Sequence, residues 1–343
     1  MLNHELLYQS SISIRKLPVN LDKEDIKLFE HELKREIPAT TLLHLEDVKI
    51  RPDGMLFRRR KLLPESFPHP HNANTRAGYK AWLKFLAVNC ISWHPKQIDQ
   101  RAFWITDTWS LGYFHWLTDA LPRLYTIRGK IRNGALLLPA AYKKMEYIKS
   151  SLKPFAIQNL TFIDDTVHCK KLNIPAHTAP TGNYNEQIIR NLRNLYTDFF
   201  EDAQSCRFGS KIYISRGKAQ KRKIINEEEC ILVLNKYGFK TVYFEDHSFE
   251  EQVKIASEAQ FLISNHGAGL TNMLFMDSGS SVFELRQKGD AHNNCYFSLA
   301  SALHLNYFYQ ACDSENPGED ANTANLIVDC RLLKKNIELM LSR

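Results

Sequence analysis

The chain has 343 residues, which is enough for two domains of ordinary size. A hydrophobic content of 44% and a charged content of 24% are typical of globular proteins, and no apolar run approaches the length that spans a bilayer. The net charge of +7 is concentrated in two clusters, Arg58–Lys61 and Arg216–Lys223, which no nucleic-acid-binding motif accompanies. The seven cysteines contain no CxxC pair, so the pattern favours reduced thiols over a zinc or disulfide framework.

The first half of the chain is irregular but contains several predicted elements. Prolines and charges are frequent in residues 1–75, where Asp53-Gly54 predicts a hairpin turn. The pattern then predicts strands and one amphipathic helix, the strands at 101–106, 135–138, 160–163 and 171–174 and the helix at 185–200. The polar stretch 201–209 ends in glycine and is typical of an interdomain linker.

The second half of the chain alternates regularly between strand and helix patterns. The predicted strands are 211–215, 239–245, 261–264, 281–285 and 306–311. The predicted helices are 226–237, 248–259, 270–276, 294–304 and 322–341. This alternation predicts an α/β protein with a parallel, doubly wound sheet. We therefore expect a first domain at 1–204, a second at 205–320, and a final helix within 321–343 that could cross back to the first.

The segment around His266 has the pattern of an anion site. A short apolar strand leads into Asn265 and His266, then into Gly267-Ala268-Gly269, and helical spacing follows. A helix start exposes unpaired backbone N–H groups at its positive end, which suits a phosphate. The glycines allow close backbone approach, and the side chains of His266 and Asn272 could donate hydrogen bonds. The same residues fit a purely structural turn about equally well.

Four further polar residues, a serine, two arginines and a glutamate, could complete this site. Ser215 and Arg216 end a predicted strand, where ligands of parallel sheets bind, and Arg222 follows. Arginine binds phosphate in a bidentate manner, so Arg216 and Arg222 could hold a diphosphate. Glu284 ends an otherwise apolar strand and could accept two ribose hydroxyls. A solvated basic loop and a structural carboxylate are the alternatives.

In the first half, His115 and Asp119 are four residues apart and share one face if the segment is helical. Such a pair could provide a general base and its orienting partner. Pro122 would disturb that helix, and in the alternative Asp119 caps a helix that starts at Ala120. The sequence contains no dinucleotide fingerprint, P-loop, nucleophile elbow or zinc spacing.

The motif blocks resemble one known family. YFHWLTDALPRL, then YISRGKAQKRKIINEEE, then FLISNHGAGLTNMLFM and SVFEL are similar in order and spacing to glycosyltransferase family 61. The resemblance covers roughly residues 45–310 and is much more specific than a lone glycine turn.

The resemblance implies a GT-B architecture, with two Rossmann-like domains facing each other across a cleft. It implies an inverting, metal-independent transferase that needs no cofactor and uses a nucleotide-sugar donor, commonly UDP-linked. The donor diphosphate would be held by Arg216, Arg222, His266 and Gly267-Ala268-Gly269. Glu284 would hold the ribose, and Asn272 would support the turn or contact a phosphate. Asp119 is slightly preferred as the base, with His115 as orienter or substitute.

Because the first residues contain no apolar core of signal-peptide length, we expect a bacterial member that works in the cytoplasm, with peripheral attachment to the inner membrane still open. Its acceptor would be a glycan or glycolipid of a surface polysaccharide, and no nucleic acid would be a partner. The oligomeric state is not readable.

The alternative from another class is a non-catalytic protein that binds polyanions or glycans through its basic clusters. A hydrolase using His115 and Asp119 is a weaker alternative, because no nucleophile motif accompanies them.

Overall fold

The chain forms two α/β units, each built on its own sheet. The computed structural model describes residues 3–76, 78–80, 82–83, 95–203, 208–316 and 318–343. The first unit comprises Met1–Ser11 and Ile37–Thr181, and the second comprises Ile12–Glu36 and Gly182–Arg343. The α/β class predicted from the sequence is therefore confirmed.

Sixteen strands are present in the described residues. The first ten are β1 (Asn3–Tyr8), β2 (Ser11–Ile14), β3 (Lys34–Ile37), β4 (Thr40–Ile50), β5 (Leu56–Arg58), β6 (Lys61–Leu62), β7 (Lys96–Phe103), β8 (Ala135–Pro139), β9 (Leu160–Ile163) and β10 (Val167–Pro175). The remaining six are β11 (Lys211–Ile214), β12 (Lys240–Val242), β13 (Phe261–Asn265), β14 (Ser281–Gln287), β15 (Asn306–Ser314) and β16 (Leu326–Ile327).

The sheet of the first unit has the order β6-β5-β4-β10-β7-β8-β9, and β1 also pairs with β4. Strands β10, β7, β8 and β9 are parallel, whereas β4 is antiparallel to β10 and to β5. The predicted hairpin around Asp53-Gly54 is confirmed, because β4 and β5 flank a Gly54 with φ of 84°. Strand β8 is buried along its whole length, as its unbroken apolar sequence requires.

The helices of the first unit are short. The α-helices are Tyr113–His115, Leu121–Thr126 and Glu146–Leu152, and a π-helix covers Trp116–Ala120. The 3₁₀-helices are Pro64–Ser66, Pro70–Asn74, Ile131–Asn133, Ala140–Lys144 and Lys153–Phe155. One apolar core joins β4, β7, β8 and β10, with Trp104 and Leu137 fully buried in it.

The sheet of the second unit has the order β12-β11-β13-β14-β15-β16 and is parallel up to β15. Counted from β11, the parallel strands follow the order 2-1-3-4-5, which is a doubly wound arrangement whose winding reverses between β11 and β13. The predicted parallel, doubly wound sheet is confirmed here. Strands β2 and β3 form a separate two-stranded sheet.

The second unit contains longer helices. Its α-helices are Ile26–Phe29, Glu186–Phe199, Glu227–Lys236, Phe249–Glu258, Cys295–Ala302 and Cys330–Leu341. Its 3₁₀-helices are Lys23–Asp25, Glu30–Glu32, Phe244–Asp246 and Ala268–Phe275. The reciprocal capping bonds between Ser248 and Glu251 start the helix Phe249–Glu258. Asn226 does not cap its helix through its side chain, which instead donates to the Val328 carbonyl over 2.8 Å.

The observed units differ from the predicted domains. The expected boundary between residues 204 and 205 lies outside the described residues. The helix Glu186–Phe199 belongs to the second unit, because the Tyr196 ring packs against Phe249 and Phe275 at 5.7 and 5.6 Å. The final helix starts only at Cys330, where the Asp329 side chain accepts two backbone N–H groups, and it belongs to the second unit.

Across the described residues, no helix combines the length and apolarity needed to cross a membrane.

Candidate functional site

The carboxyl edge between β11 and β13 brings the predicted anion-binding residues together. Ile214 pairs with Ser264 in parallel register, so Arg216 and His266 each lie two residues beyond a paired position. The winding of the sheet reverses between these two strands. Open α/β sheets bind ligands at such a reversal, outside the carboxyl ends of the strands. The sequence-predicted residues Arg216, His266 and Gly267 therefore occupy the expected ligand position of this sheet.

The guanidinium group of Arg216 lies directly against the backbone of Gly267. A Cβ atom built on Gly267 would be 2.7 Å from Arg216 Cζ, which is closer than real Cβ contacts. A side chain at position 267 would therefore have to displace the guanidinium, and this constraint comes from proximity and not from backbone strain. Arg216 also donates from Nη2 to the Lys221 carbonyl over 3.2 Å. The guanidinium is thus held at the glycine turn.

Arg216 and Arg222 form a pair of like charges, and each has a hydrogen-bond donor that is not in use. The Nε atoms of both side chains are buried and have no hydrogen-bond partner among the described residues. Burial, and then the like charge of Arg222, lowers the pKa of Arg216. The Arg222 backbone has a φ of 56°, and its carbonyl accepts a hydrogen bond from the buried Asn265 amide. Two neighbouring cations with unused N–H groups are suited to bind a polyvalent anion.

The turn after β13 leads into a 3₁₀-helix, Ala268–Phe275, and not into the predicted α-helix. The Leu270 N–H donates to the Gly267 carbonyl over 2.9 Å and closes the first turn, so the amides of 267–269 precede the helical bonds. A Cβ atom on Gly269 would lie 3.0 Å from the Ile214 side chain, so a small residue is needed there. The fully buried Asn272 donates to the Gly269 carbonyl over 3.0 Å, and it therefore supports the turn.

Glu284 is fully buried, and both of its carboxylate oxygens have partners. Oε1 contacts His266 Nδ1 at 2.5 Å, and Oε2 accepts the hydroxyl of Tyr307. Burial alone would raise the pKa of Glu284, but the charge and hydrogen bond of His266 outweigh burial and lower it. This geometry does not favour the predicted contact between Glu284 and a ribose, because the carboxylate would have to give up buried partners. It favours a role in orienting His266, whose Nε2 remains for a ligand.

Ser215 is nearly fully buried and lies beneath the arginine loop. Its hydroxyl donates to Glu227 over 2.8 Å and accepts the Gly217 N–H over 3.0 Å. Tyr213 donates to the same Glu227 oxygen over 2.6 Å. Ser215 therefore fixes the start of the Arg216 loop, and its hydroxyl is already occupied.

In the first unit, the helical segment around His115 places the predicted pair on one face. His115 Nδ1 lies 2.8 Å from Asp119 Oδ2. The segment widens into a π turn, in which the Leu121 N–H donates to the Trp116 carbonyl. A π turn absorbs the disturbance from Pro122, which has no N–H to donate and would crowd the carbonyl four residues earlier. The alternative in which Asp119 caps a helix is wrong, because Asp119 lies inside this helical run.

The two side chains differ in exposure. The Asp119 side chain is 4% exposed and the His115 side chain 24%. Asp119 Oδ2 also accepts the Thr181 hydroxyl at 2.5 Å. The carboxylate oxygen Oδ2 is therefore shared by two neighbours, and Nε2 is the ring nitrogen of His115 that does not face Asp119.

A second acid–histidine pair, which the sequence reasoning missed, lies close by. His177 Nε2 is 3.0 Å from Asp107 Oδ2, and the buried Arg123 lies 3.9 Å from the same oxygen. Burial alone would raise the pKa of Asp107, but the His177 hydrogen bond and the Arg123 charge lower it to about 2. Asp107 and His177 follow the carboxyl ends of β7 and β10, neighbours in this sheet. The sequence signal for this pair was that each residue follows a predicted strand.

A sequence profile of the family described as Glycosyltransferase 61 matches residues 113–283. The chain carries a glycosyltransferase 61 domain. The matched range includes His115, Asp119, Arg216 and His266, whereas Asp107 lies outside it.

Curated relatives of this glycosyltransferase 61 domain are similar over shorter stretches. The chain is 36% identical over 98 residues to the EGF domain-specific O-linked N-acetylglucosamine transferase of Drosophila melanogaster, which is 28% of this chain and 18% of that protein. It is 39% identical over 114 residues to the Protein O-linked-mannose beta-1,4-N-acetylglucosaminyltransferase 2 of Bos taurus, which is 32% of this chain and 20% of that protein. The matches thus span a fifth or less of the relatives' own length.

Within the described residues of this chain, no group of three or more His, Cys, Asp or Glu side chains is arranged to hold a metal ion. The basic side chains at the Arg216 edge are two arginines and a histidine, which are side-chain types that can bind anions directly.

Proposed function

We propose that the protein transfers a sugar from a nucleotide-sugar donor to a glycan acceptor. The observation that carries the proposal is the Arg216–Arg222 pair beside the glycine turn, at the point where the sheet reverses its winding. The glycosyltransferase 61 domain supports the reaction class. A nucleotide diphosphate is the anion that both observations have in common.

The second unit would hold the donor. Both arginines offer buried N–H groups with no partner in the described part of the chain. Their mutual repulsion is relieved when a diphosphate lies between them. The amides at the start of the 3₁₀-helix add further donors. Because these groups are already in place, they would stabilise the charge that develops on the leaving diphosphate.

His266 would donate from Nε2 to the diphosphate. Glu284 accepts the Nδ1–H and so sets the direction of the ring, and donation from both nitrogens uses the imidazolium form. The Tyr296 ring packs edge-on against the imidazole at 4.9 Å, and its hydroxyl donates to the Gly267 carbonyl over 2.6 Å. In this proposal Glu284 and Tyr296 are positioning residues.

The first unit would activate the acceptor. Inversion needs one displacement, in which a base removes the proton of the acceptor hydroxyl as the anomeric carbon loses the nucleotide diphosphate. We assign this base to His115, with Asp119 orienting it, because His115 is the more exposed of the two. This reverses the preference for Asp119 that the sequence suggested. Thr181 would hold the carboxylate in place.

Finer features of the proposal come from the family resemblance. They are a UDP-linked donor, inversion without a metal, a GT-B arrangement and an acceptor from a bacterial surface polysaccharide. The names of the two relatives make N-acetylglucosamine the first sugar to test.

The test is a thermal-shift screen with UDP and nucleotide sugars, followed by detection of released UDP when saccharides are added. A ligand that binds the folded state raises the melting temperature by mass action. We expect UDP and UDP-N-acetylglucosamine to raise it in the wild type. No shift with any nucleoside diphosphate or nucleotide sugar would overturn the proposal.

A second candidate, binding of a polyanion, is favoured by one pocket of the first unit. This pocket of about 320 Å³ is lined by Arg58, Arg101 and Lys171 together with one carboxylate, Glu46. Lys171 pairs directly with Arg101 across the strands, and like charges placed this way repel. Binding to heparin that falls steeply with salt and is lost in Arg101→Ser would support this candidate. Salt-insensitive or absent binding would remove it.

A further inference from the structure

An exposed tryptophan lies beside the candidate base of the first unit. Trp109 follows β7 at its carboxyl end and is 41% exposed. Its ring centroid is 5.0 Å from that of His115. Single exposed apolar residues are common on protein surfaces, so exposure alone carries no argument.

The backbone of Trp109 is fixed at both ends. Its N–H donates to Asp107 Oδ1 over 2.8 Å, and its carbonyl accepts the Gly112 N–H over 2.9 Å. Two residues further on, the Leu111 carbonyl accepts the Tyr147 hydroxyl at 2.5 Å. A loop fixed in this way presents its indole ring at little further cost in conformational entropy.

The indole ring is also held from the side. His69 meets it edge-on, with ring centroids 5.3 Å apart at 89°. His71 stacks on His69 at 5.6 Å and is exposed. The result is a fixed aromatic face bordered by imidazoles that can donate or accept hydrogen bonds. An apolar face with polar groups at its rim matches a pyranose ring, whose C–H face is apolar and whose hydroxyls lie around its edge.

We propose that Trp109 is the stacking platform for the pyranose ring of the acceptor. The ring lies on the indole face, His69 and His71 bind hydroxyls at its rim, and one hydroxyl reaches His115. This proposal rests on the function proposed above, because it takes His115 as the base. It adds the binding element for the acceptor sugar, which neither the relatives nor the family profile specify.

The test uses fluorine NMR of the full chain labelled with fluorotryptophan. The sequence contains five tryptophans, and Trp109→Phe assigns the Trp109 resonance. The protein is titrated with methyl glycosides of β-glucose, β-galactose, β-xylose and α-mannose, to concentrations on the order of 100 mM because single stacking contacts are weak. We expect the Trp109 resonance to shift and saturate with at least one glycoside. A Trp109 resonance that none of these glycosides moves would overturn the proposal.

Two variants make the result specific. In Trp109→Ala, the affinity for the responding glycoside, measured by saturation transfer, should fall about fivefold or more. The matched control is Tyr79→Ala, which removes another exposed aromatic ring of the same unit and should leave the affinity unchanged. Equal affinity in wild type and Trp109→Ala would contradict the proposal. The thermal shift with UDP should be the same in all three proteins, so a missing UDP shift in the wild type marks failure of the proposed function and not of the platform.

Discussion

Arg216 packs its guanidinium group against the backbone of Gly267, so closely that a side chain at position 267 would have to displace it. A Cβ atom at Gly267 would be 2.7 Å from Arg216 Cζ and 3.0 Å from Nε. The two residues follow the neighbouring parallel strands β11 and β13 and meet at the carboxyl edge of the sheet. This contact determines where the cation stands relative to the first amides of the 3₁₀-helix.

Gly267→Ala should weaken UDP binding about tenfold or more, because the new methyl group displaces the guanidinium and a charge-assisted hydrogen bond contributes about 1.5–3 kcal/mol. The free energy of unfolding should change by less than about 1 kcal/mol, since the far end of a flexible side chain moves. Calorimetric titration with UDP and urea unfolding measure the two quantities. Gly129→Ala is the control, because nothing lies within 4 Å of a Cβ atom there. Unchanged UDP affinity in Gly267→Ala would separate this contact from ligand binding.

Arg216→Lys and Arg222→Lys should each weaken UDP binding about tenfold, although the charge is conserved. Lysine lacks the planar pair of donors that binds phosphate in a bidentate manner. Lys218→Ala removes a charge from the same loop, but Lys218 is paired with Asp246 at 2.5 Å and half exposed, so UDP affinity should stay within about twofold. If Lys218→Ala weakened binding as much as Arg216→Lys, a diffuse basic surface would explain the affinity better.

Glu284→Gln should lower the free energy of unfolding at neutral pH by roughly 3 kcal/mol, because charge-assisted hydrogen bonds to a fully buried carboxylate are lost. The folded-state pKa of Glu284 is lowered, so its stabilisation is present above the ordinary carboxyl pKa and is lost as the pH falls through the folded value. The difference between wild type and variant should therefore shrink in acid. Glu146→Gln, at a 79% exposed carboxylate, is the control. A difference that grew in acid would contradict the assigned charge state.

Asp107→Asn should cost about 2 kcal/mol of stability at pH 7, from a pKa of about 2 against the ordinary 3.8. Because the folded pKa is depressed, this stabilisation is complete above about pH 4 and is lost as the pH falls towards 2. Urea unfolding across this range measures it. Asp99→Asn removes a 70% exposed carboxylate paired with Lys170 and should have little effect. Equal effects of the two substitutions would show that the His177–Arg123 surroundings do not stabilise Asp107.

His115→Ala should lower turnover by about 10²–10⁴ while leaving UDP affinity unchanged, as expected for loss of a general base. Imidazole added to His115→Ala should restore part of the activity. Formate added to Asp119→Ala is the matched experiment for a missing carboxylate. Rescue by formate without rescue by imidazole would make Asp119 the base and His115 its orienter.

Much of the second unit was predictable, because its strand and helix patterns alternate without long interruptions. Parallel strands share an edge, so Arg216 after one strand and His266 after another could be expected to meet. The shortened last helix could not be foreseen from periodicity. Asp329 caps it, and Leu326–Ile327 pairs instead as an edge strand. The cap at Asp329 starts the helix there, although the residues before it also have a helical pattern.

Contacts between distant segments were not predictable. Thr181 reaches Asp119 across 62 positions, and His177 reaches Asp107 only because β10 lies next to β7. The burial of Glu284 also depends on its neighbours, since Tyr307 and His266 occupy both oxygens. The sequence placed Glu284 at the right strand end but could not show which group it faces.

The most direct test of the account is calorimetric titration of UDP into the wild-type chain and into Arg216→Ala. We predict binding to the wild type and a loss of affinity of at least about tenfold in Arg216→Ala, with equal stability of the two proteins. Absence of UDP binding to the wild type, or equal affinity of the two proteins, would contradict the assignment of the Arg216–Gly267 edge as the donor site.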